Sequence, residues 1–179
     1  MNIFEDIKAQ FKAGSMLMKL IYINSGIFLF IKIVQMFGFL FQVPEISTTV
    51  LSYLAAPASL AELIRKPWTV FTYMFLHEGF FHLLFNMLWL YWFARIFTQY
   101  FDEKKLLSLY IMGGLAGAFL YILSFNLFPA FSDVINISIA LGASASVMAI
   151  VIAAVSYTHL RAHETTASIS YAVICLKKG

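Results

Sequence analysis

The sequence predicts an all-α polytopic membrane protein, and three observations support that prediction. Of the 179 residues, 61% are apolar and 12% charged, whereas an ordinary soluble domain is about 45–50% apolar and about 25% charged. The mean hydropathy is +0.84. Four apolar stretches approach the roughly 20 residues that a membrane-spanning helix needs. They cover about residues 20–41, 80–100, 106–128 and 137–155.

Residues 1–19 precede the first predicted span. Apolar and charged residues alternate in this tail, a pattern that fits either a helix on the membrane surface or a solvated tail. Residues 42–79 connect the first two spans. This connection is too polar for a span and too apolar for an open loop, so we expect an interfacial element that is partly embedded. Its three prolines are Pro44, Pro57 and Pro67.

The distribution of lysine and arginine predicts the orientation. Basic residues lie in the N-terminal tail and in the connection 95–105, whereas the connection 124–138 has none. The positive-inside rule therefore places the N-terminus in the cytoplasm and residues 42–79 outside. Arg65 and Lys66 argue against this orientation. The basic residues form short clusters rather than a stripe, so we expect no nucleic-acid partner. A single cysteine excludes an internal disulfide.

The stretch "FLHEGFFHLLFN", residues 75–86, resembles a zinc-binding helix with the wrong spacing. Two histidines that hold one zinc from a helix stand four residues apart, whereas His82 follows His77 by five. On one helix the two would lie about 140° apart. Gly79 also indicates that the helix begins only after His77. We therefore predict no metal site here.

His82 and Asn86 are four residues apart, so one helical face at the outer end of the second span carries both. They would offer an imidazole N–H and an amide N–H to a single point. The alternative is that both bond to neighbouring spans, as polar residues in membrane bundles often do.

The stretch "GASAS", residues 142–146, lies at the outer start of the fourth predicted span. A serine at a helix start has N–H groups nearby without intrahelical partners. Such groups stabilise the oxyanion that forms when a serine attacks a carbonyl. The alternative is a close contact between helices through small residues.

Taken in order, His77, His82 and Asn86, then Gly142-x-Ser144, resemble the rhomboid family of intramembrane serine proteases. The resemblance covers about residues 60–155 and includes "HLLFNMLWLYWFARIF" and "MGGLAGAFLY". It implies a rhomboid-like helical bundle, of which about four of six transmembrane helices are present.

The resemblance also implies roles for individual residues. Ser144 is the nucleophile, and His82 and Asn86 stabilise the oxyanion together with the Ser144 backbone N–H. Three residues support the site: His77, Gly142 and Ala145. The family motif is usually G-x-S-G, and Ala145 replaces its last glycine with another small residue.

The general base is the larger departure from the family pattern. Rhomboids use a histidine on a later span, in an H-x-x-G-x-x-x-G setting. After Ser144 only His159 and His163 follow, about 22 and 28 Å along a continued helix. Neither serves as the base, so we expect this chain to be inactive. "SYTHLRAHET" resembles translated sequencing-adapter read-through. We therefore interpret residues 156–179 as a tail outside the family and expect two further spans to be missing.

The function that the resemblance implies is an intramembrane serine endopeptidase, which cleaves transmembrane substrates through a Ser-His dyad without metal or organic cofactor. We expect it in the lipid bilayer of a bacterial inner membrane, with the site opening to the outer side. One alternative is a non-catalytic rhomboid-like protein that binds transmembrane helices. A channel or transporter fragment is disfavoured, because no charged pair lines the spans apart from the lone Lys32.

Overall fold

The structure, a computed structural model, describes residues 14–43 and 45–176, and their side chains apart from Ser47 and residues 161–176. The predicted surface helix of the N-terminal tail falls mainly outside these residues. The helices are α1 (Met16–Leu40), α2 (Glu45–Leu54), α3 (Leu60–Arg65), α4 (Thr69–Thr72), α5 (Phe80–Phe97), α6 (Glu103–Leu127) and α7 (Ser144–Leu176). The described residues also form two 3-10 turns, Tyr73–Phe75 and Pro129–Phe131. Two short strands are β1 (Ala56–Pro57) and β2 (Ile139–Ala140).

The predicted all-α membrane class is confirmed. Within the described residues, α1, α5 and α6 are long and apolar enough to cross a membrane, and the apolar part of α7, Ser144–Leu160, is somewhat shorter. The apolar run predicts a fourth span from about residue 137, but α7 begins only at Ser144. The later start has a structural reason: β2 pairs with β1, in an antiparallel register that matches Ala56 with Ala140. That pairing holds the residues before Ser144 in an extended conformation.

Helix α7 packs against both α5 and α6, and α1 packs against the same two helices. The core lies between these four helices and contains the fully buried side chains of Leu20, Leu90, Tyr110 and Ile150. In a membrane, dense packing between helices replaces much of the hydrophobic driving force that stabilises soluble cores.

Glycines on α6 permit the closest of these contacts. A β-carbon on Gly113 would stand 2.5 Å from the β-carbon of Ala149, and one on Gly117 would collide with the β-carbon of Ala145. Neither β-carbon would fit at an ordinary carbon–carbon contact distance, so both positions need glycine. The two glycines, four residues apart, therefore permit close packing of the third span against the fourth. It also fixes α7, and therefore Ser144, against α6.

Residues 42–79 form the short elements α2 to α4 rather than one span. Apolar side chains point outward from α3, where Ile64 is 80% exposed. Backbone bonds tie this region to the segment before α7, since the Ala58 N–H donates to the Ser138 carbonyl at 3.0 Å. The exposed apolar surface is what a partly embedded interfacial element requires.

Candidate active site

Ser144 is the first residue of α7, and its side chain is exposed. The turn before it depends on Gly142, which has a φ of +124°, a region that residues with a side chain rarely adopt. The Gly142 N–H donates to the Tyr73 carbonyl at 3.0 Å. This bond fastens the start of α7 to the 3-10 turn Tyr73–Phe75.

Ser146, the second serine of the GASAS stretch, has the opposite surroundings. Its side chain is fully buried, and its hydroxyl contacts the Met74 sulfur at 4.0 Å. A β-carbon on Gly114 of α6 would stand 2.7 Å from that hydroxyl. Ser146 therefore belongs to the contact between α7 and α6, and Ser144 is the serine that remains accessible.

His82 lies beside the Gly142 turn. A β-carbon on Gly142 would stand 2.8 Å from both Cε1 and Nε2 of His82, and 3.9 Å from the Ser144 hydroxyl. The imidazole and the hydroxyl therefore flank the same point, although they come from different helices. Gly142 is needed here twice, once for its backbone conformation and once because a side chain would displace the imidazole.

Asn86 lies one turn further along α5. Its side chain is buried, and Nδ2 donates to the His82 carbonyl at 2.8 Å, which leaves the second N–H of the amide for another acceptor. A groove of about 370 Å³ between α5 and α7 carries His82, Asn86 and Ser144 on its wall. The rest of that wall is apolar: Phe81, Phe85, Trp89, Val147, Met148 and Val151.

Backbone donors also converge on this end of the groove. The first helical hydrogen bond of α7 runs from the Val147 N–H to the Ala143 carbonyl at 2.9 Å. The N–H groups of residues 144–146 therefore have no acceptor within the helix. Free N–H groups at a helix start favour a developing negative charge.

His77 lies before α5, in the segment that precedes the helix cap at Gly79. The predicted helix start after His77 is therefore confirmed. The ring centroids of the two histidines are only 5.1 Å apart. The angle of 140° applies to two residues on one helix, and His77 is not on it.

The His77 ring is 3% exposed, and neither nitrogen makes a hydrogen bond within the described part of the chain. Burial, followed by the nearby His82, lowers the pKa of His77 to about 4. His77 is therefore neutral at physiological pH. Among the described residues, no group of three or more histidine, cysteine or carboxylate side chains lies close enough to hold a metal ion.

The other described histidine, His159, lies further along α7, about 22 Å from Ser144 along the helix axis. His163 follows on the same helix, with its side chain outside the described residues. Neither backbone position is near Ser144, as the sequence predicts.

Sequence reasoning missed Tyr73 and Met74. The Tyr73 carbonyl holds Gly142, the Tyr73 hydroxyl donates to the Gly114 carbonyl, and the Met74 carbonyl accepts from Tyr110 at 3.1 Å. These contacts make the 3-10 turn the junction between α6 and the start of α7. All three acceptors are backbone carbonyls, which any residue type carries, so the sequence offers no signal for these contacts.

Comparison with curated proteins and with solved structures found no match. The family model for the rhomboid domain matches residues 65–177. The match includes residues 156–177, interpreted above as a tail outside the family, and that interpretation stays a prediction. It begins after α1 and α2, and it contains the site histidines, Asn86 and both serines. With well over half of its length matched, this chain belongs to the rhomboid family.

Proposed function

We propose that this protein carries the chemistry of a rhomboid serine endopeptidase, with Ser144 as the nucleophile. The observation that carries the proposal is the meeting of His82 and Ser144 at Gly142. Family membership sets the reaction class, and the exposure of Ser144 beside a buried Ser146 selects the serine.

In the proposed reaction, the Ser144 hydroxyl oxygen attacks the carbonyl carbon of a peptide bond, and its proton passes to a base. The carbonyl oxygen becomes an oxyanion. The His82 ring N–H, the second Asn86 amide N–H and the free Ser144 backbone N–H are the proposed donors to it. The base then protonates the leaving amine, and water hydrolyses the acyl-enzyme.

We assign no residue as the general base for Ser144. His77 is buried against the ring of His82, with the two centroids 5.1 Å apart, and His159 is distant along α7. A serine without a base within hydrogen-bond reach is a weak nucleophile. We therefore propose that residues 1–179 by themselves do not cleave peptides.

Transmembrane segments are the proposed substrates. The groove between α5 and α7 is apolar along its length and polar only at the end that carries Ser144. Such a wall suits an apolar segment that presents one peptide bond to the polar end.

We place the N-terminus in the cytoplasm and the site towards the outer side, as in a bacterial inner membrane. Arg65 and Lys66 oppose this orientation, but both approach one carboxylate, Glu62, at 2.9 and 3.6 Å. The basic residues of the N-terminal tail and of the connection 95–105 outnumber these two, so the bias still favours a cytoplasmic N-terminus.

A second candidate is a non-catalytic rhomboid-like protein that binds transmembrane helices through the same groove. The lack of an assigned base favours it. Retention of Ser144 beside His82 and free N–H groups favours the protease, because binding alone requires none of these groups.

Chemical rescue separates the two candidates. The purified chain in lipid nanodiscs is treated with a fluorophosphonate probe, with and without added imidazole as a substitute base. We expect labelling only with imidazole, loss of labelling in Ser144→Ala, and unchanged labelling in Ser146→Ala. A binder would give no imidazole-dependent labelling. Cleavage of a transmembrane reporter by the untreated chain, abolished by Ser144→Ala, would contradict the proposed inactivity.

A further inference from the structure

Helix α1 lies outside the matched rhomboid range, yet one of its side chains reaches the site. Lys32 is the only charged residue between Leu20 and Leu40. A charge within an apolar span is costly, and it usually marks a functional contact. The contacts of Lys32 therefore need an explanation that packing of α1 does not supply.

The Lys32 ammonium donates to the Glu78 backbone carbonyl and to the Gln35 side-chain oxygen, each at 3.0 Å. It also lies 5.4 Å from the centre of the Phe28 ring. Bonds from an ammonium to a carbonyl are charge-assisted and stronger than neutral ones. Lys32 thus links the outer part of α1 to the residue between His77 and Gly79.

That residue, Glu78, directly precedes the cap of α5. Gly79, the cap of α5, has an extended backbone and no side chain that could bond to the first turn of the helix. His82 is the third helical residue, so its imidazole follows any shift of the helix start. The partners of Lys32, Gln35 and Glu78, also line a cleft of about 490 Å³ together with His77 and His82.

We infer that Lys32 is a positioning residue for the site: by holding the Glu78 carbonyl, it fixes the start of α5 and so places the His82 imidazole beside Ser144. The role in catalysis rests on the proposed function, whereas the geometric link does not. The test below therefore measures the surroundings of position 144 without requiring peptide hydrolysis.

The test uses the full chain carrying Ser144→Cys, with Cys175→Ala to remove the native thiol. The rate of alkylation by iodoacetamide follows the thiolate fraction, which depends on the nearby imidazole and free N–H groups. Lys32→Met should slow alkylation about threefold or more near neutral pH. Lys32→Arg, which still donates to a carbonyl, should restore the rate. Lys19→Met makes the same change at the other end of α1 and should leave the rate unchanged.

Histidine ring signals in the NMR spectrum of the ¹⁵N-histidine-labelled protein give a second readout. Lys32→Met should move the signals of His77 and His82 and leave that of His159 in place. Lys32→Gln, a neutral donor, keeps the measurement possible if the methionine variant fails to fold. Equal alkylation rates and unchanged His82 signals in all Lys32 variants would overturn the inference. So would a slowed rate that Lys32→Arg does not restore. Failure of imidazole rescue alone would overturn the proposed chemistry and leave this link standing.

Discussion

The two sides of α7 differ sharply, although the serines that mark them are only two residues apart. On the side of Ser146, α7 contacts α6 so closely that Gly113, Gly114 and Gly117 leave no room for a β-carbon. On the side of Ser144, α7 packs against α5, and the two helices leave a groove of about 370 Å³ between them. One side is closed by small residues, and the other is open and rimmed by aromatic side chains.

The difference shows how a short helix start can serve packing and chemistry at once. The closed side fixes the position of α7 against α6 through backbone-level contacts, so the groove on the other side can stay open beside Ser144. Substitutions on the closed side should therefore change stability, and those on the open side should change chemistry. Four predictions test this division.

The largest effect is expected for Gly113→Leu. Its β-carbon alone would stand 2.5 Å from the Ala149 β-carbon and 3.1 Å from the Ala145 carbonyl oxygen, so α7 must move away. Overpacking of this kind costs about 3 kcal/mol or more where backbone has to shift. The free energy of unfolding in detergent micelles measures it. Gly26→Leu on α1 is the matched control, since no atom lies within 4 Å of its β-carbon position. An equal loss of unfolding free energy in both variants would contradict the close contact between α6 and α7.

The second effect concerns His77, which lies near the outer end of the open side. Its pKa in the folded protein is lowered from 6.5 to about 4 by burial, so the unfolded chain binds the extra proton between these values. The stability that the neutral ring contributes is complete above pH 6.5 and is lost as the pH falls towards 4. The loss amounts to at most about 3 kcal/mol, less where water in the adjoining cleft reaches the ring.

The free energy of unfolding, followed as the pH falls through this range, should decline in the parent chain. His77→Gln removes the titrating group, so its profile should be flatter by the contribution of His77. Parallel profiles for the two chains would show that His77 does not titrate as its burial requires.

The third effect pairs Gly117 with Ala145, the residue that stands where the family motif usually has glycine. A β-carbon on Gly117 would collide with that of Ala145, so Gly117→Ala should cost about 1–3 kcal/mol. Adding Ala145→Gly removes the colliding atom and should recover part of the loss, since the Tyr73 hydroxyl stays 3.0 Å from the new β-carbon and glycine has a lower helix propensity. The coupling energy from this double-mutant cycle measures the contact. A coupling near zero would contradict it.

Much of the fold follows from the sequence, because the apolar composition of membrane helices identifies them. The helices α1, α5 and α6 lie close to their predicted spans, since a run of apolar residues has no other stable state in a bilayer. The start of α7 does not follow, because the apolar run continues through residues 137–143. What ends it is pairing between β1 and β2, and such pairing between distant segments leaves no trace in local composition.

Parts of the site were predictable for a different reason. The four-residue spacing of His82 and Asn86 places both on one face of α5, and both line the groove. The closeness of His77 to His82 was not predictable, because it depends on the path of the chain before the helix begins. The link from Lys32 to a backbone carbonyl was equally hidden, since the acceptor carries no side-chain signature.

The smallest effect should separate the two serines themselves. Ser144→Ala removes an exposed hydroxyl, so we expect a change in the free energy of unfolding within about 0.5 kcal/mol. Ser146→Ala removes a fully buried hydroxyl that contacts the Met74 sulfur, and should cost up to about 1 kcal/mol because that contact is weak. The order reverses for imidazole-dependent labelling by a fluorophosphonate, which only Ser144→Ala should abolish. Ser144→Ala is then the more stable variant and also the unreactive one. Its loss of labelling therefore reports the missing Ser144 hydroxyl and not a damaged fold. A stability loss in Ser144→Ala larger than that in Ser146→Ala would place Ser144 in the packed interior and end the division between the two sides of α7.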